Sequence, residues 1–135
     1  MARINPYEAY QNNSVTTASP GELTLMLYNG CLKFIHLAKQ AIREGDIEKR
    51  NTNIQKAQNI ISELNVTLNM DIILSQNLRS LYEYANRRLI EANIHQDVSI
   101  LEEVEELISE LRDTWKQVIQ INRQRTHLPV ESVRR

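Results

Sequence analysis

The side chains able to do covalent or metal chemistry are few and scattered. Cys31 is the single cysteine, and the three histidines are His36, His95 and His127. A thiol nucleophile needs a base within hydrogen-bond reach and a third group to orient that base. Cys31 and His36 are five residues apart, which is not the i+4 step of a shared helix face, and no orienting group is identifiable. None of the histidines has a second His, Cys or carboxylate at the local spacing of a metal site. No Glu is followed three residues later by His, so the paired carboxylate–histidine motif of metal-binding bundles is missing. Gly21, Gly30 and Gly45 are too far apart for a phosphate-cradling loop. The residues therefore predict no catalytic centre, no metal and no cofactor. A lone thiol inside an apolar run reads as a small buried hydrophobe, in keeping with a reducing compartment.

Charge adds little specificity. Lys and Arg number 16 against 17 Asp and Glu, a net charge of −1, so no basic footprint for nucleic acid is present. The acidic run Glu102-Glu103-Val104-Glu105-Glu106 and the pair Arg87-Arg88 read as solvated helix faces. No apolar run approaches the roughly 20 residues needed to cross a bilayer, so no membrane insertion is expected. The N-terminus, MARINPYEAY, lacks the apolar centre of a signal peptide, and the expected location is cytoplasmic.

Proline and glycine placement then decides the fold class. Nothing from residue 46 to 128 breaks a helix, and bounded strand-like alternation is absent. In Ser19-Pro20-Gly21-Glu22 the serine can cap, proline suits the first helical position, and Glu22 completes a capping box. That helix is expected to run to Glu44, with Gly45 as its left-handed terminus. Asp46 caps a second helix over about 47–69, with Ile47, Ile54, Ala57, Ile61, Leu64 and Leu68 on one stripe. A third spans about 75–94, with Leu78, Leu81, Tyr82, Ala85, Leu89 and Ala92 facing inward. A fourth begins at Asp97 or Ser99, its Leu101, Val104, Ile108, Leu111, Trp115 and Val118 spaced three-and-four like a packing seam. Residues 97–110 carry six acids and no Lys or Arg, and Arg112, Lys116, Arg123 and Arg125 follow, which suits the helix dipole. Matched lengths and short loops predict an all-α, antiparallel up-down-up-down four-helix bundle over 20–122. An extended, mobile N-terminal arm over 1–19 precedes it, and a disordered basic tail over 123–135 follows.

The first helix has surplus apolar surface. Leu23, Met26, Leu27, Phe34, Leu37, Ala38 and Ala41 form one stripe; Leu25, Tyr28, Leu32, Ile35 and Ile42 form a second, displaced around the axis. Either the helix is buried between two neighbours, or part of this surface is a groove for another chain, because soluble monomers avoid large exposed apolar patches. Ile60 and Val66 likewise fall off the main stripe of the second helix. The polar arm carries Ile4, Tyr7, Tyr10 and Val15, which either pack permanently on the bundle or cover a groove until a partner displaces them.

Several motifs bear on that choice. Asn5-Pro6-Tyr7-x-x-Tyr10, Val15-x-Thr17-Ala18-Ser19-Pro20-x-x-Leu23 and Met26-Leu27-Tyr28-Asn29-Gly30 resemble the N-terminal signature of the flagellar secretion chaperone family, the flagellin-specific FliS proteins. Arg88-Leu89-Ile90-Glu91-Ala92-Asn93 with Asp97 is similar to the junction of that family's third and fourth helices, so the likeness covers about residues 4–121. It implies a cytosolic export chaperone, not an enzyme. Such a chaperone binds the disordered C-terminal segment of flagellin, prevents premature polymerisation and helps deliver it to the flagellar type III export apparatus. The resemblance implies roles for Tyr7 and Tyr10 in arm docking and contact with an export-gate component. Leu25, Tyr28, Leu32, Ile54 and Ile61 are the candidate groove residues. The expected state is a monomer or weak homodimer; the rival is a self-associating helical bundle with no client.

Overall fold

The computed structural model describes residues 19–71 and 73–126. The expected arm, with Tyr7 and Tyr10, and the tail beyond Thr126 lie outside them. Within that range the chain forms four α-helices: α1 (Pro20–Glu44), α2 (Ile47–Val66), α3 (Ile73–His95) and α4 (Val98–Thr126). Each packs on the next and α4 returns against α1, which makes an antiparallel four-helix bundle.

The helix ends follow from local chemistry. Ser19 caps α1 by accepting from the Glu22 amide at 3.2 Å, and Pro20 occupies the first turn without losing a bond. The reciprocal half of the expected capping box gives way to another partner: Glu22 Oε1 accepts from Arg123 at 3.1 Å, tying the start of α1 to the end of α4. Gly45, at φ 73°, donates to Ile42 O, and the Asp46 amide closes on Ala41 O at 2.9 Å. Asp46 then caps α2 by accepting from the Lys49 amide. The α3–α4 corner repeats this closure with a non-glycine: Gln96 takes φ 53° and the Asp97 amide reaches Ala92 O at 3.1 Å. Asp97 accepts from both the amide and the hydroxyl of Ser99.

Two boundaries differ from the sequence expectation by three residues or more. α2 stops at Val66, three residues early, because Thr67 caps it through its hydroxyl to Leu64 O at 2.7 Å. α4 continues to Thr126, beyond the expected bundle limit of 122, because no breaker intervenes and Arg123 is held by Glu22.

The core is continuous through all four helices. Ile35, Ile54, Ile61, Leu64, Leu89, Leu101 and Ile108 are fully buried within it. At its centre the Tyr28 and Tyr82 hydroxyls share a 2.5 Å hydrogen bond. Burial is the main cause that pushes both phenols above their usual range, so they stay neutral.

Candidate polypeptide-binding groove

The potential chemistry in the sequence is spent on packing. Cys31 is fully buried, its Sγ lies 3.9 Å from Ala57 O, and burial pushes its thiol up to about 12. A thiol held protonated is no nucleophile. His36 is exposed and pairs with Gln40, four residues on, and His95 lies exposed at the end of α3. Among the described residues no group of three or more His, Cys, Asp or Glu could hold a metal ion, and no helix is long and apolar enough to cross a membrane.

Three of the four seams between helices are closed. Along α1 and α2, Phe34 packs inward under the Lys33 and Lys56 ammonium groups, 5.7 and 5.3 Å from its ring centroid. Along α2 and α3, side-chain amides interlock: Asn93 accepts from Arg50 and donates to Asn51, both at 2.8 Å. Asn86 reaches Ser62 further along the same seam. Along α1 and α4, ion pairs close both ends. Lys39 holds Glu105 at 2.7 Å, Arg43 lies 3.9 Å from Glu102, and Arg123 meets Glu22. Trp115 also donates its indole N–H to Gly21 O at 2.8 Å.

Among the described residues, the α3/α4 seam is fastened by polar bonds at one end. There Glu103 accepts from Arg88 at 2.9 Å and from the Tyr84 hydroxyl, and Arg88 also holds Glu91 at 2.7 Å. The Tyr84 hydroxyl, followed by Arg88, draws the Glu103 carboxyl below the usual carboxylate range. Toward the start of α3, no polar bond between α3 and α4 is present among the described residues. Leu74, Leu78, Leu81 and Ala85 follow the three-and-four steps of the inward arc, and Ala85 is buried, yet Leu74 is 63% and Leu81 37% exposed. The Glu103 pairing sets an antiparallel register in which Leu81 falls level with Leu107 and Leu78 with Leu111. Leu78, Leu107 and Leu111 are half-buried on the core cluster and form a floor. Ile121, 54% exposed on the same edge of α4, continues the apolar line beyond it. Along this stretch of the seam, Leu74 and Leu81 stay exposed beside a half-buried apolar floor.

The sequence-predicted groove residues are placed differently. Tyr28, Ile54 and Ile61 are interior side chains, at most 2% exposed. Helix packing from two sides needs both stripes of α1, so the surplus apolar surface there is largely core. Leu25 and Leu32 are half-buried on the α4-facing edge of α1, in line with Gly21 and Lys39. The five residues therefore do not share one open surface. Ile60, off the main stripe of α2, is buried, and Val66 is exposed at its end. Leu81 was expected inside; no sequence signal marks the open groove, because the stripe of α3 is as regular there as elsewhere.

The family model described as "Flagellar protein FliS" matches residues 3–122. The chain belongs to the FliS family. It is 59% identical over 127 residues to the flagellar secretion chaperone FliS of Bacillus subtilis (strain 168), covering 94% of this chain and 96% of the relative. Against the chaperone of the same name from Salmonella typhimurium (strain LT2) the identity is 35%, over 78% of this chain and 81% of the relative. A solved structure, "Crystal structure of flagellar chaperone from bacteria", superposes with TM-score 0.71 at 19% identity, covering 84% of this chain and 94% of that one. That likeness establishes the fold. The family is one of chaperones for flagellar secretion and not of enzymes.

Proposed function

We propose that this protein is a cytoplasmic export chaperone that binds the disordered C-terminal segment of flagellin, keeps it from polymerising prematurely and helps deliver it to the flagellar type III export apparatus. The observation that carries the reading is the near full-length 59% identity to a flagellar secretion chaperone. The open α3/α4 seam supplies a physical means. A disordered segment that folds on binding must bury enough apolar surface to offset its ordering entropy. Leu74, Leu78, Leu81, Leu107 and Leu111 offer such surface without unfolding the bundle.

The client would lay an amphipathic face over these leucines, hiding the flagellin surface that assembles with other flagellins. Leu25 and Leu32, half-buried between the two fastened ends of the α1/α4 seam, would give their remaining exposed surface to a second stretch of a client long enough to wrap the bundle. Tyr7 and Tyr10 would act from the arm, toward groove cover and the export gate. Calorimetric titration with a peptide of the last 40 or so residues of the same cell's flagellin tests the reading. Saturable one-to-one binding with a large negative heat-capacity change is expected. Absence of binding to a folded, monomeric sample would leave the client reading without support.

A further inference from the structure

The edges of the α3/α4 groove are chemically unequal. On the α4 side the rim is acidic: Glu106 and Glu110 lie three and seven residues past Glu103. Both are exposed, and neither has a hydrogen bond or ion pair among the described residues. Glu103 itself is committed to Arg88 and Tyr84. On the α3 side the rim is neutral, made of Asn77 and Ser80. The nearby cations of α3 are engaged elsewhere: Arg79 pairs with Glu83, and Arg87 stacks 5.7 Å from the Tyr84 ring at the closed end. In the same register α3 begins opposite about residue 115, so the groove from Leu107 runs about 12 Å at 1.5 Å per residue, close to two helical turns.

We infer that the α3/α4 groove selects a helical stretch of about two turns whose apolar stripe is bordered on one edge by Lys or Arg, which meets Glu106 and Glu110. This rests on the reading that the groove takes the flagellin segment; the two acids add to it a charge requirement and a direction. An apolar groove alone accepts an amphipathic helix in either orientation. A groove acidic on one side accepts a one-sidedly basic helix in the orientation that puts its cations over α4. The Arg88–Glu103–Tyr84 cluster also stops the helix at that end, because continuing would strip a satisfied polar network of its partners. Charge at a rim governs specificity and salt dependence more than raw affinity, and apolar burial supplies most of the binding.

The test uses the full chain and the flagellin C-terminal peptide in calorimetric titration at low and high salt. Three variants are compared: Glu106→Gln/Glu110→Gln, Glu106→Lys/Glu110→Lys, and Leu81→Glu. Helical content and melting are checked first; both glutamates are surface side chains, so the bundle is expected to stay intact. Neutralisation is expected to weaken binding about fivefold at low salt and to flatten its salt dependence. Reversal is expected to weaken it further, and a peptide with its basic residues changed to Glu should recover binding to the reversed variant alone. Leu81→Glu should weaken binding tenfold or more. If Leu81→Glu weakens binding while both acid variants bind like the parent at every salt, the charge requirement is wrong and the groove reading survives. If Leu81→Glu also binds like the parent, the client does not occupy this groove and both fall.

Discussion

Single residues show how the fold spends polar groups. The Tyr28–Tyr82 hydroxyl pair is buried at the bundle centre. Tyr28→Phe or Tyr82→Phe alone is expected to cost about 1–2 kcal/mol, because the remaining hydroxyl loses its partner in the core. The double variant should recover much of that loss, which urea unfolding of all four proteins would reveal as a coupling energy. Both phenols are raised by burial, so their contribution is complete below the ordinary value of 10.0 and declines as the unfolded chain ionises above it. Gln96 makes the opposite kind of prediction. It holds φ 53° without being glycine, where Gly45 does the same work at the first corner. Gln96→Gly should stabilise by about 1 kcal/mol, read from the urea midpoint at unchanged slope.

Helix seams differ in how their elements are joined, and that decides which can open. α1 is gripped by α2 through core packing and by α4 through Lys39, Arg43 and Arg123. α3 is locked to α2 through Asn93 and Asn86, and among the described residues its hydrogen bonds to α4 lie near Arg88. Leu81 and Leu89 share the inward side of α3, yet Leu89 is fully buried and Leu81 is not. Leu89→Ala should cost about 2–5 kcal/mol, and Leu81→Ala less than about 1 kcal/mol, in the same unfolding assay. Equal costs would mean that Leu81 is packed in solution. The fastening itself is pH-dependent. Tyr84 and Arg88 hold the Glu103 carboxyl low, so its contribution is full above the ordinary carboxylate range and is lost as pH falls through it. Melting temperatures from about pH 6 down to pH 3 should therefore fall less steeply for Glu103→Gln than for the parent.

Across the molecule, one core cluster runs through all four helices. Unfolding should accordingly be a single cooperative step. Trp115 sits at the α1–α4 end and reports on that end through its bond to Gly21 O. Its fluorescence and the far-ultraviolet circular dichroism should give coincident urea transitions. An earlier fluorescence transition would show that the Trp115 end opens on its own.

How much of this was legible beforehand depends on whether the determining force is local. The corners at Gly45 and Asp46, the Ser19–Pro20 start and the four helical spans follow from caps, breakers and three-and-four periodicity, which act within a few residues. The inert character of Cys31 was legible for the same reason, from its apolar neighbours. The motifs from Asn5 to Gly30 carried the family. Tertiary structure alone decided where the apolar surface stays open. The surplus stripes of α1 left two alternatives, burial between two neighbours or a groove; α1 sits between two neighbours and buries Tyr28, while the regular stripe of α3 leaves Leu74 and Leu81 uncovered. Periodicity specifies which side of a helix turns inward. How closely the next helix approaches that side depends on packing and ion pairs contributed by residues far away in the chain, and no local pattern encodes it.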